Sequence, residues 1–93
     1  MNRLYTKGKF PVQLQDRDFE ILRFIQSAGS TISGEINRRF WPDKSKIAGA
    51  GYQRLRKLVA AGLIYRRHRM LHLTEEAKEL LAKAEMQAVE RAG

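Results

Sequence analysis

The spacing of apolar residues changes at Gly62 and again at Thr74, and no other feature limits the fold of this chain more. Before Gly62 the apolar residues recur three and four apart, as along one face of a helix. From Leu63 to Leu73 the period becomes two. Leu63, Tyr65 and Arg67 alternate with Ile64, Arg66 and His68, and Met70-Leu-His-Leu73 follows. After Thr74 the helical spacing returns. The pattern predicts a mostly α chain with one small β-hairpin, whose turn falls near Arg67–Arg69 without an Asn-Gly signal to set its register. A length of 93 residues leaves room for one domain.

The helical part divides further. Asp16 to Ala28 carries Phe19, Leu22, Ile25 and Ala28 on one stripe, widened by Ile21 and Phe24. Asp16, Asp18 and Glu20 lie at its amino end, where the helix dipole favours carboxylates, and Gly29 suits its end. Ser30-Thr-Ile-Ser33 is short and β-prone, and Ser33 can N-cap a second helix over about 34–40. Ile36 and Phe40 would face inward there, with Glu35, Arg38 and Arg39 outward. Pro42 stops it by pushing Trp41 out of helical geometry. Asp43 can cap a third helix running from about Lys44 to Ala61. Tyr52, Leu55, Leu58 and Val59 form its core face, with Tyr52 and Trp41 read as packing residues. Gly49 and Gly51 cost roughly 1 kcal/mol each inside a helix, so they either delay its start to about Ala50 or let something approach closely. Thr74 caps the last helix, and Ala77, Leu80, Leu81, Ala84 and Ala88 form its stripe. Residues 1–13 read as a flexible arm or one that docks a dimer. Leu4, Tyr5, Phe10, Val12 and Leu14 are apolar enough to dock on the body or on another subunit. Residues 14–74 form the domain and 75–93 the C-terminal helix.

Charge points to a partner. Ten of the eighteen Lys and Arg residues lie between Arg38 and Arg69, answered there by Asp43 alone, so the window holds more positive charge than the whole chain's +8. So local a field attracts polyanions, and nucleic acid is the first to consider. There is no cysteine, which excludes disulfides and thiolate metal sites. No apolar run nears the ~18–20 residues of a membrane span, and the start has no secretory h-region. A soluble, cytoplasmic protein is expected. Cys–His pairs, Gly-rich phosphate loops and metal-ligand clusters are missing. His68 and His72 would stand roughly 13 Å apart along a strand. A binding protein is therefore expected rather than an enzyme, with no cofactor, metal, membrane or small-molecule effector.

Several segments resemble a winged helix-turn-helix DNA-binding domain over about residues 14–82. Leu14-Gln-Asp-Arg-Asp-Phe-Glu-Ile-Leu22 looks like its opening helix. Arg54-Leu-Arg-Lys-Leu-Val-Ala-Ala-Gly-Leu-Ile64 looks like a recognition helix running into the wing. Leu73-Thr-Glu-Glu-Ala-Lys-Glu-Leu80 looks like the helix after the wing in MarR and PadR types, and Glu35-Ile-Asn-Arg-Arg-Phe-Trp-Pro42 is similar to the plasmid replication-relaxation family. The resemblance implies a three-helix core, a wing over 63–73 and a recognition helix over 44–61 in the major groove of duplex DNA. The outer face of that helix offers Lys46, Gly49, Ala50, Gln53 and Arg54 to base edges; glutamine suits adenine and arginine suits guanine. Lys44 and Ser45 would meet phosphate at its amino end, Lys57 further along, and Ser33, Arg38 and Arg39 beside it. Arg66, Arg67, His68 and Arg69 would lie on the backbone or in the minor groove. A homodimer is expected, with Leu80, Leu81, Ala84 and Ala88 as candidate seam and the first three serving as core, seam or both. The expected role is sequence-specific transcriptional regulation. An accessory DNA binder of plasmid or phage replication or transfer, and a winged helix used for RNA or protein contact, are the other two readings.

Overall fold

The chain opens with a hairpin that its basic, breaker-rich composition hides. In the structure, a computed structural model that describes residues 3–5, 12–42 and 50–92, β1 (Arg3–Tyr5) pairs antiparallel with β2 (Val12–Leu14), Leu4 facing Gln13. Strand alternation sends Tyr5, Val12 and Leu14 into the core and leaves Leu4 outside. Where it is described, the amino-terminal arm thus docks on this chain's own body.

Helix α1 (Asp16–Ala28) has the expected bounds. Asp18 Oδ2 accepts the Gln15 N–H at 2.8 Å and so closes the first turn. Its buried face is Asp18, Ile21, Leu22 and Ile25, with Phe19 and Phe24 packed at the edge. Ala28, expected on the apolar stripe, is exposed. Helix α2 (Ser33–Phe40) starts at its expected cap residue, one residue earlier than expected. Ile32, extended, takes the N-cap place, and its carbonyl accepts from Glu35 and Ile36. Ser33 therefore does not cap the helix, and its hydroxyl is left for another partner. The helix ends before Trp41-Pro42, as expected.

Helix α3 (Ala50–Ala60) buries Leu55 and Leu58, but Tyr52 and Val59 are 42% and 41% exposed instead of core. The reason lies at Gly51. A Cβ there would collide with Asn37 Oδ1 and stand 3.0 Å from Trp41 Cε3. The bare glycine lets α2 and α3 approach closely, so the buried arc runs through Gly51, Leu55 and Leu58, and Tyr52 and Val59 move to its rim. Asn37 is itself 4% exposed, and its Oδ1 has no hydrogen-bond partner among the described residues. The expected cap Asp43, with Lys44, Ser45, Lys46 and Gly49, lies outside the described residues.

Gly62, at φ +81°, reverses the chain after α3. Leu63 donates to the Leu58 carbonyl and Gly62 to that of Val59, both at 3.0 Å, the Schellman pairing that a left-handed residue permits. Strands β3 (Ile64–Arg67) and β4 (Met70–Leu73) follow, paired antiparallel with Ile64 opposite Leu73 and Arg67 opposite Met70. Ile64, Leu71 and Leu73 point into the core, and Tyr65 stacks on His72 at 5.1 Å on the other face. The β-prone Thr31 joins the edge of this sheet. Its N–H donates to the Leu71 carbonyl at 3.2 Å, and the Leu71 N–H donates back at 2.6 Å. Helix α4 (Glu75–Ala92) begins where the Thr74 hydroxyl accepts the Ala77 N–H and donates to the Gly62 carbonyl.

Leu80 and Leu81, expected in a dimer seam, are buried with Ala77 in this chain's own core. Ala84 is half-buried, and the Ala88 side chain lies outside the described residues. The architecture is mainly helical, with two small antiparallel hairpins. Among the described residues no helix is long and apolar enough to cross a membrane.

Candidate nucleic-acid interface

Three elements converge beside α3. The released hydroxyl of Ser33, at the start of α2, lies 3.4 Å from Arg66 Nη2, which reaches it from β3. Tyr52, Arg56 and Val59 succeed one another at i, i+4 and i+7 on α3 and face the same space. Together with Leu55 and Ala60 they enclose a groove of about 540 Å³. Its floor is apolar. Its rim carries two guanidinium groups and two hydroxyls, and among the described residues no carboxylate lines it. A surface of this kind suits a partner that presents both negative charge and apolar edges, as duplex DNA does with its phosphates, sugars and thymine methyls.

Arg54 stands apart from this groove. Its Nε donates to Asp18 Oδ1 at 2.7 Å, and its Nη2 donates to both Asp18 Oδ2 and the Gln13 carbonyl, the latter at 2.6 Å. Its side chain is 17% exposed, and the hydrogen bonds it donates to Asp18 hold its pKa above the ordinary arginine value, against the opposing effect of burial. The sequence assigned this guanidinium to guanine; the fold commits it to tying α3 to β2 and α1. The cause is the placement of Asp18, which as a buried carboxylate on α1 demands a cation.

The remaining expected contacts divide by place. Gln53 and Lys57 are exposed one turn apart on the flank of α3 that faces α1. Arg67, His68 and Arg69 are exposed at the β3–β4 tip, where His68 and Arg69 take φ of +52° and +68°. Ala50 opens α3 with its side chain outside the described residues. Arg38 and Arg39 are exposed but do not line the groove. Arg38 lies 3.8 Å from Glu35, and the Arg39 guanidinium stands 4.6 Å over the Phe24 ring. The sequence places Tyr52 in the core and Arg56 on a solvated helix face, and gives neither a contact role. Their i, i+4 spacing was visible, but which way α3 rolls was not. Among the described residues no cluster of His, Asp and Glu is placed to hold a metal ion.

Compared with known protein families, curated proteins and solved structures, the chain matches none.

Proposed function

We propose that this chain is a winged helix-turn-helix protein that binds duplex DNA in a sequence-specific way. In this reading α2 and α3 form the helix-turn-helix, and α3 enters the major groove. The β3–β4 hairpin is the wing and lies on the neighbouring backbone or in the minor groove. The convergence of Ser33, Arg56 and Arg66 on a groove beside α3 with no acid among its described lining residues carries the proposal. Tyr52, Gln53 and Arg56, all exposed on α3, replace Arg54 as the described candidates for base contact. The basic window from Arg38 to Arg69 supplies the field.

We read the protein as a transcriptional regulator that acts as a homodimer on two half-sites about 34–36 Å apart. Because Leu80 and Leu81 are used inside the chain, pairing falls to α4 beyond Ala84, where Met86 is 64% exposed.

Selection of bound sequences from a random duplex pool, followed by anisotropy titration across salt, tests this. The expected result is one enriched motif and a log K against log salt slope of about −5 to −7, as six to eight phosphate contacts require. A pool that stays random, or equal competition by RNA, overturns it.

A further inference from the structure

A second cleft, of about 200 Å³, opens on the flank of α3 away from the groove. Arg17 and Gln15 border it from the start of α1, Gln53 and Lys57 from α3, and Trp41 from the end of α2. Two observations set it apart from an ordinary basic surface. The Arg17 guanidinium lies 4.8 Å over the Trp41 ring, so its charge is held in place. Among the described residues Asp18 is the one carboxylate in the lining, and it is already joined to Arg54. Arg17 and Lys57 therefore face the cleft with no uncommitted acid among its described lining residues, and two side-chain amides stand beside them as donors.

That chemistry fits a phosphate. The position says which one. A helix lying in the major groove has a phosphate strand on either side. The groove of Ser33, Arg56 and Arg66 takes one side of α3, and this cleft takes the other. We infer that the cleft seats a backbone phosphate of the second strand, so that the protein grips the duplex on both sides of α3. The inference rests on the DNA-binding reading and adds α1 to the contact surface.

Lys57→Gln is the sharpest variant, because it leaves the Arg17–Trp41 contact and the Asp18–Arg54 pair intact; Arg17→Gln is the second. Lys83→Gln, exposed on α4, is the control. Duplex binding is titrated across salt, and melting confirms that each variant is folded. Lys57→Gln should weaken binding to every sequence alike and flatten the slope by about 0.9, the value of one phosphate, while Lys83→Gln matches wild type. Identical slopes for Lys57→Gln and Lys83→Gln overturn the inference.

A second arm separates strand from free anion. Inorganic phosphate is exchanged for chloride at constant ionic strength, and the fluorescence of Trp41, the only tryptophan, is followed. A saturable response combined with an unchanged salt slope makes the cleft a free-anion site and overturns its assignment to the strand. If wild type binds no duplex at all, the DNA-binding reading falls on its own. The fluorescence then decides the cleft: saturation that Lys57→Gln abolishes upholds a phosphate seat, and a flat trace removes it.

Discussion

Asp18 and Arg54 stand 36 positions apart in sequence and meet through two hydrogen bonds, with the Asp18 side chain 2% exposed. The same carboxylate closes the first turn of α1, and the same guanidinium holds the Gln13 carbonyl of β2. One ion pair thus fixes β2, α1 and α3 to each other.

Removing Arg54 leaves a buried carboxylate alone. Arg54→Ala should destabilise the fold by about 3–5 kcal/mol, and Asp18→Ala by a similar amount. The double variant Asp18→Ala, Arg54→Ala should lose clearly less than the sum of the two, because neither charge is then stranded. Urea denaturation of the three variants measures this, and simple additivity would show that the pair is not coupled.

Gly51→Ala sets two effects against each other. Alanine gains about 1 kcal/mol in helix propensity over glycine. The new methyl collides with buried Asn37 and presses on Trp41, and overpacking of this kind costs about 1–3 kcal/mol. Asn37 is buried at 4% exposure, so the collision should win and the melting temperature should fall. A rise would mean that α2 and α3 can separate at no loss.

Tyr5 gives the fold an alkaline limit. Burial, and next Glu76 and Glu79, push its phenol above the usual 10.0. The folded state therefore prefers the neutral phenol. The stability this contributes is present in full below about pH 10 and is lost as pH rises through the folded value. Tyr5→Phe should match the wild-type pH profile below pH ~10 and lose less above it. Parallel alkaline limbs in thermal melts would contradict this.

The hairpin tip trades stability for charge. His68 and Arg69 hold a turn in the left-handed region, where Asn-Gly is preferred. His68→Asn with Arg69→Gly should raise stability by about 1 kcal/mol. In the DNA-binding reading it should also weaken affinity for all duplexes alike and flatten the salt slope. Melting and anisotropy separate the two effects, and stronger binding by the variant would remove the tip from the interface.

What could be read from the sequence follows how local its cause is. The bounds of α1, the β3–β4 hairpin and the Thr74 cap came from periodicity and end signals within a dozen residues. The β1–β2 hairpin escaped because each strand has three residues, too few for a period to declare itself, and Lys7, Gly8 and Lys9 between them read as a solvated arm. The roll of α3 depends on how near α2 comes, which Gly51 settles against Asn37. The partner of Arg54 depends on a carboxylate far away in sequence. Leu80 and Leu81 could serve core, dimer seam or both, because an apolar stripe does not say whose core it enters. The basic window drew the reading to α3 and the β3–β4 hairpin, but it could not tell a committed arginine from an exposed one.

The Thr31–Leu71 bridge joins main chain to main chain. The tilt of the hairpin relative to α2 is thus held by groups that every amino acid except proline carries. Arg56, Arg66 and the residues at the tip can be exchanged with the hinge left in place. In the DNA-binding reading, a library randomised at those positions should alter what the surface recognises while the scaffold keeps its posture.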